Sequence, residues 1–147
     1  MIGVIGGGAW GTALAQVAAN AGHAVRLWAR EPEVVADINA AHRNAAFLPD
    51  IALSPSIKAT QDWSALAGAR AILVVTPAQH MRAVLAHLRD HTAPLILCSK
   101  GIEAGDVVVG ADKQTAVIAD LGQARPVAAV IDIGLARADD MGGDLDP

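Results

Sequence analysis

The spacing Gly6-x-Gly8-x-x-Gly11, set directly behind the apolar run Ile2-Gly3-Val4-Ile5, constrains this chain more than any other feature. A short apolar run that ends in glycines reads as a buried strand. The residues from about Ala9 to Ala21 read as a helix, with Leu14, Val17, Ala18 and Ala21 at the i, i+3, i+4, i+7 spacing of one buried face. Gly22 suits the left-handed position that ends it. A strand, a glycine turn and a helix in this order present free main-chain N–H groups and the positive end of a helix dipole to an anion. Gly6 permits the tight turn, Gly8 removes the side chain that would block a pyrophosphate, and Gly11 lets the helix pack closely on the strand. The glycine spacing alone is weak evidence; in this strand-to-helix context it points to a dinucleotide.

The rest of the chain repeats the same alternation. Ala24–Trp28 reads as a second strand, and Pro32 suits the first position of a second helix with Val34, Val35, Ile38 and Ala41 inward. A proline-punctuated connection runs from Asn44 to Ser56, followed by a strand at Ile57–Ala59 and a short helix capped by Asp62. Ala71–Val75 and Leu95–Cys98 are apolar without alternation, as strands covered on both faces are. Thr76 with Gln79 forms a capping-box pattern and Pro77 takes the first helical position between those two strands. Val127–Ile131 is a sixth strand candidate. Strands alternating with helices make the fold class α/β, a doubly wound parallel sheet of the Rossmann type in a single domain over residues 1–147, with the first, second and fourth strands side by side.

Charge and composition narrow the function. Eleven Lys and Arg against 15 Asp and Glu give a net charge of −4, which excludes a strongly basic nucleic-acid binder. No apolar run approaches the 18 or so residues of a membrane span. A single cysteine, Cys98, excludes an intrachain disulfide and a multi-cysteine metal site, and it reads as a buried thiol. The N-terminal residues lack the basic and apolar segments of a secretory signal, so a reducing, cytoplasmic setting is expected.

The residue after the second strand selects the dinucleotide. An acidic residue there holds the ribose 2′-hydroxyl of NAD, whereas arginine accommodates the 2′-phosphate of NADP. Arg30 stands near the expected place, about 20 residues beyond the glycine turn. A guanidinium suits a phosphate and stacks on adenine. NADP(H) is therefore preferred, with NAD(H) possible, because a shift of one register would put Glu31 in that role.

Several segments together resemble the bacterial NAD(P)-dependent glycerol-3-phosphate dehydrogenases. These are Gly6–Ala15, Leu27-Trp28-Ala29-Arg30, Asn44-Ala45-Ala46-Phe47-Leu48-Pro49, Val74-Val75-Thr76-Pro77 and Ser99-Lys100-Gly101-Ile102-Glu103. The resemblance covers about residues 1–105 and leaves 106–147 as a divergent tail, where only Gly134 and Ala138 coincide with the family's substrate-binding segment. It implies reduction of dihydroxyacetone phosphate to sn-glycerol 3-phosphate for phospholipid synthesis. It also implies that Gly6, Gly8, Ala9, Trp10, Gly11 and Arg30 contact the cofactor, and that Lys100 touches both cofactor and substrate. The family's second, helical domain, with its proton-acceptor lysine, has no counterpart in these residues, so no catalytic residue is assigned and little turnover is expected of this chain alone. The rival readings are a non-catalytic dinucleotide-binding module and a fragment of another two-domain hydroxyacid dehydrogenase, such as a relative of 6-phosphogluconate dehydrogenase. The oligomeric state is not legible.

The remaining polar and aromatic residues have plainer readings. His80, His87 and His91 lack a patterned carboxylate or cysteine and read as an exposed helix edge rather than a metal site. Trp28 and Trp63 read as packing residues. Trp10 flanks the nicotinamide or packs on a neighbouring loop, and the acidic residues of 139–146 read as a solvated terminus.

Overall fold

The computed structural model describes residues 1–88, 91–98 and 127–130. In chain order these form β1 (Ile2–Ile5), α1 (Ala9–Asn20), β2 (Val25–Trp28), α2 (Pro32–Ala41), β3 (Ile57–Thr60), a 3₁₀ turn at Trp63–Leu66, β4 (Ile72–Val74), a 3₁₀ turn at Ala78–His80, α3 (Met81–Ala86), β5 (Leu95–Leu97) and β6 (Val127–Val130). The strands form a parallel sheet in the order β3-β2-β1-β4-β5-β6. The expected adjacency of the first, second and fourth strands is what the sheet shows.

The pleat sends successive residues of each strand to opposite faces. Val4, Val25, Leu27 and Ile57 enter one core with Ala15 of α1 and with Val34 and Ile38 of α2. Ile5, Ile72, Val74, Leu95 and Leu97 enter the other, with Leu66 and with Met81, Val84 and Leu85 of α3. The central strands β1, β4 and β5 are covered on both faces and carry no polar alternation, whereas β2 and β3 place Arg26 and Lys58 between apolar residues, with Lys58 exposed. Fully buried Ile5, Leu27, Ile38 and Ile57 each contribute about 1.5–3 kcal/mol by leaving water.

Three helical expectations need correction. The buried residues of α1 are Gly11, Thr12 and Ala15, with Ala18 and Ala19 packed beside them, while Val17 is 63% exposed. The inner face is thus built from small residues, because α1 lies close against β1 and the glycine turn. Ala41 of α2 is exposed, and Val34 and Ile38 carry its inner face with Val35 partly buried. The helix after β4 does not begin at Pro77. A 3₁₀ turn comes first, with the His80 amide donating to the Pro77 carbonyl at 2.9 Å, and α3 starts at Met81 with His80 as its N-cap residue.

The ends of α1 and α2 follow the sequence. Gly22, at φ 85°, lets its own amide reach Ala19 O and the His23 amide reach Ala18 O, closing α1 in a Schellman motif. Pro32 opens α2, and His42 closes it in the left-handed region at φ 51°.

Candidate functional site

The glycine turn leaves β1 at its carboxyl end. Gly6 sits at φ 127°, a conformation that side-chain-bearing residues rarely adopt, and a Cβ there would lie 2.6 Å from the Val75 carbonyl oxygen. A Cβ on Gly7 would lie 2.5 Å from Ala29 Cβ. A Cβ on Gly11 would collide with the Gly6 carbonyl oxygen. Gly8 is different: a Cβ there would meet nothing within 4 Å. Three of these glycines are required by neighbouring protein atoms, and Gly8 alone faces open space.

That space is a crevice of about 320 Å³. Its floor is the turn Gly6-Gly7-Gly8. One wall comes from the end of β2, with Trp28, Arg30 and Glu31, and the other from Val75, Thr76 and Pro77 after β4 with His80, Ala83 and Val84. Phe47 closes it from the loop after α2. The N-terminus of α1 opens beside this floor with no side-chain cap and no acidic residue in its first turn. Its first amides therefore have no intrahelical acceptor and carry the positive end of the dipole. The crevice lies beyond the carboxyl ends of the strands, where β1 and β4 adjoin and their connections diverge to opposite faces, the ligand position of open α/β sheets.

Two contacts hold the floor and wall in place. Asn44 is buried, and its Nδ2 donates to both Gly7 O and Thr12 Oγ1 at 2.8 Å. Its Oδ1 accepts the Phe47 amide at 3.3 Å. One side chain thus ties the glycine turn, the start of α1 and the Phe47 loop together. Gln61 does the same for the β2 wall: its carbonyl accepts from Trp28 Nε1 at 2.9 Å, and its side-chain Nε2 donates to Arg30 O at 2.6 Å. Trp28 stacks on Trp63 at 3.9 Å between ring centres, and Trp63 stacks on His87 at 4.6 Å. Asp62 caps the turn that carries Trp63. Its carboxylate accepts from the Ser64 hydroxyl at 2.6 Å and the Ser64 amide at 2.9 Å, and these bonds, the hydroxyl's first, lower its pKa.

Of the residues singled out in the sequence, Gly6, Gly8 and Arg30 line the crevice. Gly11 packs beneath it against Gly6. Ala9 and Trp10 begin α1 beside it without lining it, and the Trp10 ring is 46% exposed. Lys100, the Ser99–Glu103 segment and the tail positions Gly134, Ala138 and 139–146 lie outside the described residues. The Arg30 guanidinium binds Glu31 Oε1 through Nε at 3.1 Å and Nη2 at 3.0 Å. Cys98 follows β5 and is buried, and burial pushes its thiol pKa up. Among the described residues, no three His, Cys, Asp or Glu side chains converge on a metal position, and no helix is long and apolar enough to cross a membrane. Phe47 and His80 as crevice residues, Asn44 and Gln61 as tethers, and Trp28 as a wall were not legible, since each acts through a contact distant in sequence.

The sheet order and the glycine turn at its centre define a doubly wound α/β domain of the Rossmann type. A family model described as the NAD-dependent glycerol-3-phosphate dehydrogenase N-terminus matches residues 1–131, and the chain belongs to that family. This match runs beyond the segment 1–105 that carries the motifs. A glycerol-3-phosphate dehydrogenase [NAD(P)+] of Caulobacter vibrioides is 59% identical over 114 residues, covering 76% of this chain and 34% of the relative. One from Paramagnetospirillum magneticum is 52% identical over 130 residues, covering 86% of this chain and 46% of the relative. The crystal structure of a glycerol-3-phosphate dehydrogenase from Coxiella burnetii superposes with a TM-score of 0.65 at 33% identity, covering 71% of this chain and 33% of that one. The chain spans about a third of the length of the first curated relatives it matches.

Proposed function

We propose that this chain is the cofactor-binding part of an NAD(P)-dependent glycerol-3-phosphate dehydrogenase, a single domain over residues 1–147 that holds NADP(H) preferentially and NAD(H) as well. The observation that carries this is Gly8, open to a crevice at an uncapped helix N-terminus while Gly6, Gly7 and Gly11 are hemmed in by protein. A pyrophosphate needs that combination of close backbone approach and unpaired amides. The residues present therefore fit a dinucleotide.

In this reading the amides at the start of α1, including those of Ala9 and Trp10, hold the pyrophosphate. Arg30 receives the 2′-phosphate through its guanidinium. Thr76 and Pro77 form the wall facing the glycine turn, and Asn44 keeps that turn in shape. Lys100 takes the substrate: its ammonium binds the phosphate of dihydroxyacetone phosphate or polarises the ketone. A bound nicotinamide supplies the hydride for reduction to sn-glycerol 3-phosphate, a precursor for phospholipid synthesis. The negative net charge and the single cysteine fit a cytoplasmic protein that binds small molecules rather than nucleic acid.

The test is a titration of the purified chain with NADPH, followed by tryptophan-sensitised nicotinamide emission, with dihydroxyacetone phosphate then added. Saturable binding of NADPH is expected, and the response to dihydroxyacetone phosphate then reports whether these residues alone support turnover. Absence of binding to either NADPH or NADH overturns the proposal.

A further inference from the structure

We infer that Glu31 is an internal competitor for the Arg30 guanidinium and thereby sets how strongly the site prefers a 2′-phosphorylated dinucleotide to an unphosphorylated one. The inference deepens the nucleotide-binding reading and rests on it.

Arg30 and Glu31 both line the crevice. Arg30 Nε and Nη2 donate to one oxygen of Glu31, Oε1, at 3.1 and 3.0 Å. The inner edge of the guanidinium is thus committed to a carboxylate, and the outer Nη1/Nη2 fork remains for a ligand. Glu31 is the N-cap residue of α2, yet its side chain makes no cap bond to that helix. Its carboxylate serves Arg30 instead. Gln61 holds the Arg30 carbonyl at 2.6 Å, so the backbone that carries the pair is fixed.

This arrangement treats the two nucleotides differently. A phosphate on the outer fork shares one guanidinium with a carboxylate, and the two anions repel. A ribose 2′-hydroxyl brings no charge, and it can donate to the Glu31 carboxylate. Glu31 therefore weakens binding of the phosphorylated form and supports the other. The Arg30 side chain is 78% exposed and that of Glu31 27%, so solvent screens the repulsion and the effect is moderate.

Glu31→Gln keeps the shape and removes the charge. Dissociation constants for NADPH, NADH, 2′,5′-ADP and 5′-AMP are measured for the parent chain and for this variant, with thermal unfolding as a check on folding. The variant is expected to bind NADPH and 2′,5′-ADP about threefold to fivefold more tightly, the scale of an exposed ion pair. NADH and 5′-AMP should hold steady or weaken, and the gain for NADPH should shrink in 0.5 M salt as charges are screened. Equal shifts for phosphorylated and unphosphorylated ligands, or no shift in a parent chain that binds both, overturn the inference and leave the nucleotide reading standing. Weaker NADPH binding in the variant also overturns it, since Glu31 would then be orienting Arg30 for the phosphate. A folded parent chain that binds none of the four ligands removes the nucleotide reading, and this inference with it.

Discussion

Replacing Asn44 by alanine tests whether one buried amide holds the glycine turn. The side chain donates two bonds at 2.8 Å, to Gly7 O and Thr12 Oγ1, and accepts a longer one from the Phe47 amide at 3.3 Å. Thr12 Oγ1 also reaches Gly7 O, at 3.4 Å, and can partly replace the lost donor. Each lost bond is worth about 1 kcal/mol, and a buried acceptor left without a donor costs about 1–3 kcal/mol. Two strong bonds lost, with partial rescue of Gly7 O, give a net cost of about 3 kcal/mol. At about 2–4 °C per kcal/mol for a chain of this size, the midpoint should fall by about 6–12 °C. Thermal and urea unfolding, followed by tryptophan fluorescence, measure it. Asn44→Asp separates hydrogen bonding from packing. It keeps the volume but offers the Gly7 carbonyl an acceptor in place of a donor, so it should cost at least as much as alanine. A loss under 0.5 kcal/mol for alanine, or a clearly milder effect for aspartate, refutes the reasoning.

Two further outcomes follow from the geometry. Gly8→Val should leave the unfolding midpoint within a few degrees, because its Cβ enters open space from an extended backbone at φ −72°, ψ 179°, while NADPH affinity falls more than about tenfold, or 1.4 kcal/mol; Gly11→Ala should instead unfold the domain, since its Cβ strikes the Gly6 carbonyl. Equal effects of these two substitutions on stability would contradict the division between structural and ligand-facing glycines. Burial raises the Cys98 thiol pKa, so the neutral thiol is the folded form; its contribution to stability is complete below the unfolded-state pKa of about 8.5 and is lost as pH rises through the higher folded value. Iodoacetamide should accordingly label Cys98 more slowly than free cysteine at pH 8, and labelling as fast as free cysteine would contradict the burial.

The centre of the parallel sheet was legible because β1, β4 and β5 are covered on both faces and so appear as uninterrupted apolar runs. β1, β4 and β5 match Ile2–Ile5, Ala71–Val75 and Leu95–Cys98 within one residue at each end. The buried face of α1 was not legible by the same logic. Periodicity weights large apolar residues and selects Leu14 and Val17, but a helix lying against a glycine turn needs small ones, and Gly11, Thr12 and Ala15 carry little hydrophobic signal. The start of α3 misled for a related reason: Thr76 and Pro77 have the residue types of a helix start, yet the chain first tightens into a 3₁₀ turn that forms part of the crevice wall. Gly8 and Arg30 could be placed from sequence because turn geometry and strand endings fix them locally. Asn44 and Gln61 could not, because their bonds reach Gly7, Thr12, Trp28 and Arg30 across other elements, and a polar loop residue has no period to betray its burial.

The same tethers explain how a crevice floored by three glycines keeps its shape. Glycine gives the turn freedom that no side chain of its own restrains, and the neighbours supply the restraint. Val75 O limits Gly6 from the β4 side, Ala29 limits Gly7 from the β2 side, and Asn44 holds the Gly7 carbonyl from the loop after α2. Gly8 is left as the one floor position exempt from contact. The Oδ1 of the same Asn44 accepts the Phe47 amide, so the floor and the Phe47 loop share one anchor. A preorganised floor limits the ordering cost of binding.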